Sequence, residues 1–394
     1  MLNRPEPACL VIADISGYTV YLAGTELDHA QDILADLMTT VVTSLRPTFR
    51  LAKLEGDAAF VYVVTDAIDG SQLQDVIERC YFTFQRRLRD IRQASTCECN
   101  ACIRIPDLDL KVLGHHGLIG RQRIAGREEL VGSDVVVVHR LLKNQVEDEI
   151  DGHAYAMYTE ACVAAMGLAD PTTIGLRRHV ETFEGIGEVT GWVRDLADAW
   201  QTEQDRAREI VSVENAFMTY EYTLPGPPEV AWDWLTSPVR RPQWQLGVLK
   251  IDEESATGRR GVGTTNHCIH GKDAIVEEII DWRPVDYLTF RIQMPIPGVP
   301  KLTLTQALEA TPEGTRVTAL IARPRTARDL AIVRSHESAF ADRIAAGAAA
   351  LVPLIAAEMA ARMSGAASAP EPDVPVSAGR NVAEPLTAGN LAVT

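Results

Sequence analysis

CLVIADISGYTVYLAG, residues 9–24, begins as a strand and then breaks its own pattern. Cys9 to Ala13 form an unbroken apolar run, the signature of a strand covered on both faces. Asp14 follows at once, then a polar turn at Gly17, and then a helical segment. A lone carboxylate at the end of a buried strand calls for a partner or a ligand.

Ile33, Leu34, Leu37, Met38, Val41, Val42 and Leu45 recur at helical spacing, and Pro47 closes that helix. FRLAKLEGDAAFVYVV, Phe49 to Val64, alternates around the turn Glu55-Gly56-Asp57 and reads as a hairpin. Leu73, Val76, Ile77, Cys80, Phe84 and Leu88 mark a second helix. LDLKVLGHHG, Leu108 to Gly117, is a strand, and GSDVVVVHRLLKN, Gly132 to Asn144, is a helix opening behind Gly132. The order is strand, helix, hairpin, helix, strand, helix and further strands.

This order brings Asp14, at a strand end, and Asp57, in a hairpin turn, toward one end of a sheet. Neither has a cationic neighbour in sequence, so the pair repels unless a divalent cation lies between them. Mg²⁺ or Mn²⁺ is commonly held by one or two carboxylates plus substrate phosphates. The bland alternative makes Asp14 a helix cap and Asp57 a turn residue.

The motifs themselves bear on that choice. ADISGYT, Ala13 to Thr19, resembles the opening motif of class III adenylate and guanylate cyclases, and KLEGDAAFVY, Lys53 to Tyr62, is similar to their second. The resemblance continues through LKVLGHHG and EELVGSDVVVVHRLLKN to VETFEGIGEVTGWV, which is similar to the family's last hairpin. It covers roughly residues 8–197 and implies an α+β, ferredoxin-like antiparallel sheet with helices. It implies Asp14 and Asp57, with the Ile15 carbonyl, as metal ligands. Lys53 and Glu129 fall on the base-reading pair, whose donor and carboxylate complement adenine. Arg140 falls on the transition-state arginine, suited to charge that builds on phosphate. The family assembles its site between two protomers, so a homodimer is implied, with ATP as substrate.

Departures from the pattern are equally definite. Where the family places a ribose-binding Asn, this chain has Val136, inside the apolar run Val135 to Val138. Where it places triphosphate lysines, the last hairpin reads Thr182, Phe183 and Glu184. Three readings stay open: slow turnover, a different substrate, or a silent scaffold.

STCECNACIRI supplies Cys97, Cys99 and Cys102, soft ligands in reach of one Zn²⁺, with His115, His116 or a thiol from another chain as a candidate fourth. The alternative is a loop of reduced thiols. NHCIHG places His267 and His270 on opposite faces of an alternating strand, so they do not chelate one ion. GRRGVG, Gly258 to Gly263, lacks the Lys-Ser/Thr of a phosphate loop and reads as a hairpin turn.

Beyond a polar helical connector, residues 198–214, a second region begins. FMTYEYTLPGPPEVAWDWLTSPVRRPQWQ gives strand, bend and short helix. Five strand patterns follow, then one long helix from Ala327 to Arg362. Over residues 215–362 this order resembles the START-like or polyketide-cyclase superfamily, a helix-grip fold. The resemblance implies a small hydrophobic ligand, with Trp232, Trp234 and Trp244 as candidate lining residues against a packing role for at least two of them. Residues 364–394, rich in Ala, Pro, Gly and Ser, read as a disordered tail.

Composition sets the frame. A chain of 394 residues with 46% hydrophobic residues builds more than one core. The net charge of −16 argues against nucleic acid as a partner. Seven cysteines without a secretory leader fit a reducing, cytoplasmic setting. The longest apolar run, Ile344 to Ala357, is too short to span a bilayer and reads as a buried helix. The expectation is a cytoplasmic nucleotide cyclase-like protein making cyclic AMP and diphosphate, modulated by its second domain. The alternative is a cyclase-like sensor without catalysis.

Overall fold

The structure, a computed structural model, describes residues 4–363 except 26, 95–99, 125–126, 151, 169 and 257. The tail at 364–394, Cys97 and Cys99 lie outside the described residues. The chain forms two compact units that divide at Arg206 and Ala207.

The first unit runs β1 (Glu6–Ser16), α1 (Tyr18–Ala23), α2 (Leu27–Leu45), β2 (Arg50–Glu55), β3 (Ala58–Val64), α3 (Gly70–Ala94) and α4 (Asn100–Ile103). It continues with β4 (Asp109–Ile124), β5 (Arg127–Val131), α5 (Ser133–Arg140), β6 (Tyr155–Thr159), α6 (Glu160–Ala165), β7 (Arg177–Phe183), β8 (Gly187–Asp195) and α7 (Leu196–Asp205). The strands order as β2-β3-β1-β4-β6-β8-β7, with β5 paired to the far end of β4. Among the described residues of this unit, only the β4–β6 pairing is parallel.

The central place of β1 explains its unbroken apolar run. Cys9, Val11, Ala13 and Ile15 enter a core shared with α2 and α3. Ala8, Leu10 and Ile12 enter a separate cluster with Phe60, Tyr62 and Val138 on the opposite face. Leu37, Val41 and Leu45 of α2 and Ile77, Cys80 and Phe84 of α3 are buried, each large aliphatic contributing roughly 1.5–3 kcal/mol. Gly56 turns the β2–β3 hairpin at φ +69°, a left-handed conformation costly for any residue with a Cβ.

The connector's α-helix ends at Asp205, with a single 3-10 turn following at Val213–Asn215. Its first half packs on the first unit, where Trp200 meets Phe82 at 5.3 Å between ring centroids. Beyond it, the amides of Glu209 and Val211 are taken by side-chain oxygens of Asp281 and Thr305 at 2.9 Å. Backbone donors spent that way cannot continue a helix.

The second unit comprises β9 (Ala216–Leu224), α8 (Pro228–Thr236), β10 (Lys250–Glu254), β11 (Thr265–His270), β12 (Asp273–Arg283), β13 (Tyr287–Gln293), β14 (Leu302–Thr311), β15 (Gly314–Ala322), α9 (Ala327–Ser335) and α10 (Glu337–Met363). Its antiparallel sheet orders as β10-β11-β12-β13-β14-β15-β9. Burial alternates along β11, with His270 buried and His267 half-buried. Both units are α+β, as expected.

The closing helix, read from the sequence as one, is two. Ser335 Oγ donates to the Ile332 carbonyl at 2.6 Å, and His336 Nδ1 meets the same oxygen at 2.9 Å. Side chains competing for that carbonyl interrupt the ladder at His336. In α10, Leu351 and Ile355 are buried in the core, while Val352 on another face is 40% exposed. The expectation of a buried helix therefore holds for one stripe only, because the outward side is largely alanine. By length and composition alone α10 also suffices to cross a membrane.

Candidate functional site

Asp14 and Asp57 come together. In the β1–β3 register Asp14 lies opposite Ala58, the residue after Asp57, and the Ile15 amide donates to the Asp57 carbonyl at 3.1 Å. Ile15 thus sits beside both acids. Burial pushes Asp14 up to about 6; Lys111 opposes that shift, and Asp57 and Glu147 reinforce it. Burial also raises Asp57 above the ordinary carboxylate range.

The cation missing from the sequence neighbourhood comes from β4. Lys111 pairs directly across from Asp14, and its Nζ lies 3.3 Å from Asp14 Oδ2. The inference that the two acids repel unless a divalent cation lies between them is corrected here, since strand register supplies a lysine distant in sequence. Among the described residues no group of three or more His, Cys, Asp or Glu side chains is placed to hold a metal ion. The donor set nonetheless suits Mg²⁺ or Mn²⁺, which needs only one or two carboxylates when phosphates complete the shell.

Asp109, one strand over and opposite Ser16, is a further buried acid, raised to about 6 by burial against hydrogen bonds from Leu110, Tyr81 and Gln85. Its folded pKa exceeds the unfolded value of 3.8, so its stabilising contribution is fully present below that value and is lost as pH rises through about 6. A shift of this size corresponds to about 3 kcal/mol at most. The melting temperature of the first unit is therefore expected to fall between pH 4 and pH 7 through this group. Asp109→Asn should flatten that dependence; an unchanged slope would mean Asp109 is ionised throughout.

Lys53 and Glu129 do not meet. Among the described residues Lys53 Nζ pairs with Glu55 at 2.7 Å, and Glu129 lies on β5 opposite Gln122. Glu55 also holds His139 Nε2 at 3.0 Å, which draws the acid toward α5 and leaves it in reach of the lysine. Arg140 ends α5 exposed to solvent. Val136, one turn earlier, is 53% exposed, whereas Val138 is buried, so Val136 is not part of the core. In the last hairpin Phe183 is buried beside Leu113 and Tyr155, and Glu184 stands in the turn.

The proposed fourth zinc ligands are committed elsewhere. His115 Nδ1 lies 2.8 Å from Thr159 Oγ1 and its Nε2 3.2 Å from Asp134 Oδ1. His116 Nε2 meets the Thr65 carbonyl at 3.0 Å. Burial holds His115 below its ordinary value against the pull of Asp134. Cys102, in α4, is half-buried.

In the second unit a cavity of about 170 Å³ opens between the sheet and α10. Trp244 lines it, close to Gly347, where a Cβ would stand 3.1 Å from the indole ring. The other two tryptophans do not line it. Trp232 packs edge-on to Trp282 at 4.8 Å, and Trp234 Nε1 donates to Glu358 at 2.7 Å beneath the Arg240 guanidinium. Two residues apart on α8, they face different sides and serve the core. The cavity also holds a buried ion pair, Arg241 with Glu277 at 2.8 Å, which the tryptophan pattern did not signal.

Comparison with known proteins finds matches in both units. Residues 34–150 match a family model described as a protein of unknown function (DUF2652). Residues 216–355 match one described as polyketide cyclase / dehydrase and lipid transport. The uncharacterized protein Rv2561/Rv2562 of Mycobacterium tuberculosis is 31% identical over 172 residues, 42% of this chain and 74% of that protein. The chain belongs to that protein's family. Solved structures similar to the N-terminal half include the guanylyl cyclase Cya2, 16% identical with a TM-score of 0.37 over 49% of this chain and 93% of that one. Another is the adenylyl cyclase CyaB from P. aeruginosa, 12% identical with a TM-score of 0.36 over 49% of this chain and 95% of that one.

Proposed function

We propose that the first unit is a metal-dependent nucleotide cyclase-like domain acting on ATP, and that the second binds a small hydrophobic ligand that modulates it. The observation that carries the first half is the pair Asp14 and Asp57, two carboxylates raised by burial at the end of the central strand. Both acids, with the Ile15 carbonyl, would hold Mg²⁺ or Mn²⁺. The bound ion would neutralise triphosphate charge and activate the attacking hydroxyl.

The remaining groups belong to a partner protomer in this reading. Lys53 and Glu129 contact the base once Lys53 exchanges Glu55 for the nucleotide, and Arg140 meets charge developing on phosphate. Four large apolar residues on β2, β4 and α5 stand exposed, namely Leu54, Leu118, Ile124 and Val136, and they support a homodimer.

A second reading, a silent cyclase-like scaffold, draws on Val136, on Glu184 and on the Lys111–Asp14 ion pair. Val136→Asn separates the two. The side chain is open to solvent, so stability should hold within ~0.5 kcal/mol. Losing one well-placed polar contact costs ~10²–10³ in turnover, and restoring the amide should recover at least tenfold. Unchanged cyclic AMP formation in a normally stable variant would favour the scaffold.

A further inference from the structure

We propose that the cavity of the second unit takes an amphiphile with a carboxylate head, held at Arg343, its apolar body lying against the sheet. This rests on the reading of that cavity as a ligand site and names the ligand's chemistry.

The body of the cavity is apolar, with Ile279, Phe290, Leu304 and Ile321 from the sheet and Phe340 and Ile344 from α10. Its charged lining residues are Arg241, Glu277 and Arg343. Glu277 answers Arg241 through contacts of 2.8 Å to both terminal guanidinium nitrogens. Arg343 gives one Nη2 hydrogen bond to the Leu246 carbonyl at 2.7 Å and has no carboxylate partner among the described residues. Two cations against one anion leave the lining at +1, in a chain whose net charge is −16.

Orphaned polar atoms gather in the same lining. Arg241 Nε, Gln245 Oε1 and Asn266 Oδ1 are buried without a hydrogen-bond partner. Each such group keeps its desolvation cost unrepaid when left unanswered. A purely apolar ligand would answer none of them. A cationic head would be repelled by Arg343. A carboxylate has the acceptor capacity that Arg343 and Arg241 Nε require, and an amide turned about its terminal bond would offer its NH₂ as a further donor in place of the orphaned oxygen.

The test is calorimetric titration of the full chain with octanoate, 1-octanol and octylamine, which share an apolar body and differ in the head. Octanoate should bind at least tenfold more tightly than 1-octanol, with octylamine weakest. Arg343→Gln, at a half-buried position, should bring octanoate down to the level of 1-octanol. Equal binding of octanoate and 1-octanol by the unaltered protein would overturn the carboxylate assignment and leave the cavity as a ligand site. Absence of binding by all three would overturn both.

Discussion

Glu277→Leu is expected to destabilise the second unit by about 3–5 kcal/mol, the usual cost of removing one partner of a buried ion pair. The Arg241 side chain is 8% exposed and the Glu277 side chain 6%. Deleting the carboxylate strands a guanidinium whose Nε already lacks a partner. The nearest remaining acceptor is the Cys268 sulfur, 3.7 Å from Nη2, a poor substitute for two charged oxygens. Arg241→Met combined with Glu277→Leu should recover most of the loss, because no charge is then left in the interior. Denaturant unfolding of the unaltered protein and the two variants measures it. A single-variant loss under ~1 kcal/mol would mean that water reaches the pair.

Asp57→Ala should lower turnover of ATP with Mn²⁺ by at least ~10²-fold, since it removes one of two metal-holding carboxylates. The residue sits at the hairpin turn, half-buried, so the fold should survive. Mn²⁺ affinity gives an independent readout, and by paramagnetic resonance it should weaken about tenfold or more. Asp14→Ala should do the same to the metal while also releasing Lys111. Loss of activity with unchanged Mn²⁺ binding would remove Asp57 from the metal site.

The sequence carried a good part of this arrangement because periodicity reports burial. The stripe Ile33 to Leu45, the run at β1 and the hairpin around Gly56 all fold as their spacing implies. Asp14 was conspicuous as a charge ending an apolar strand. Lys111 was not, because only the β1–β4 register sets it opposite Asp14, and register is a long-range property. Trp232, Trp234 and Trp244 look alike in sequence, and their roles separate only when α8 turns the first two indoles to different sides and the turn at 241–243 sets Trp244 at the cavity. Val136 was ambiguous within four consecutive valines, of which the helix buries Val138 and exposes Val136. The Arg241–Glu277 pair joins a turn to β12 across 36 positions, a contact no local pattern announces.

The most direct measurement incubates the purified chain with ATP and Mn²⁺ and follows cyclic AMP and diphosphate. Equimolar formation of both is expected from the unaltered protein, lowered at least ~10²-fold in Arg140→Ala as in Asp57→Ala. No product from ATP or GTP, under conditions where a control cyclase turns over, would contradict it and leave the first unit a scaffold.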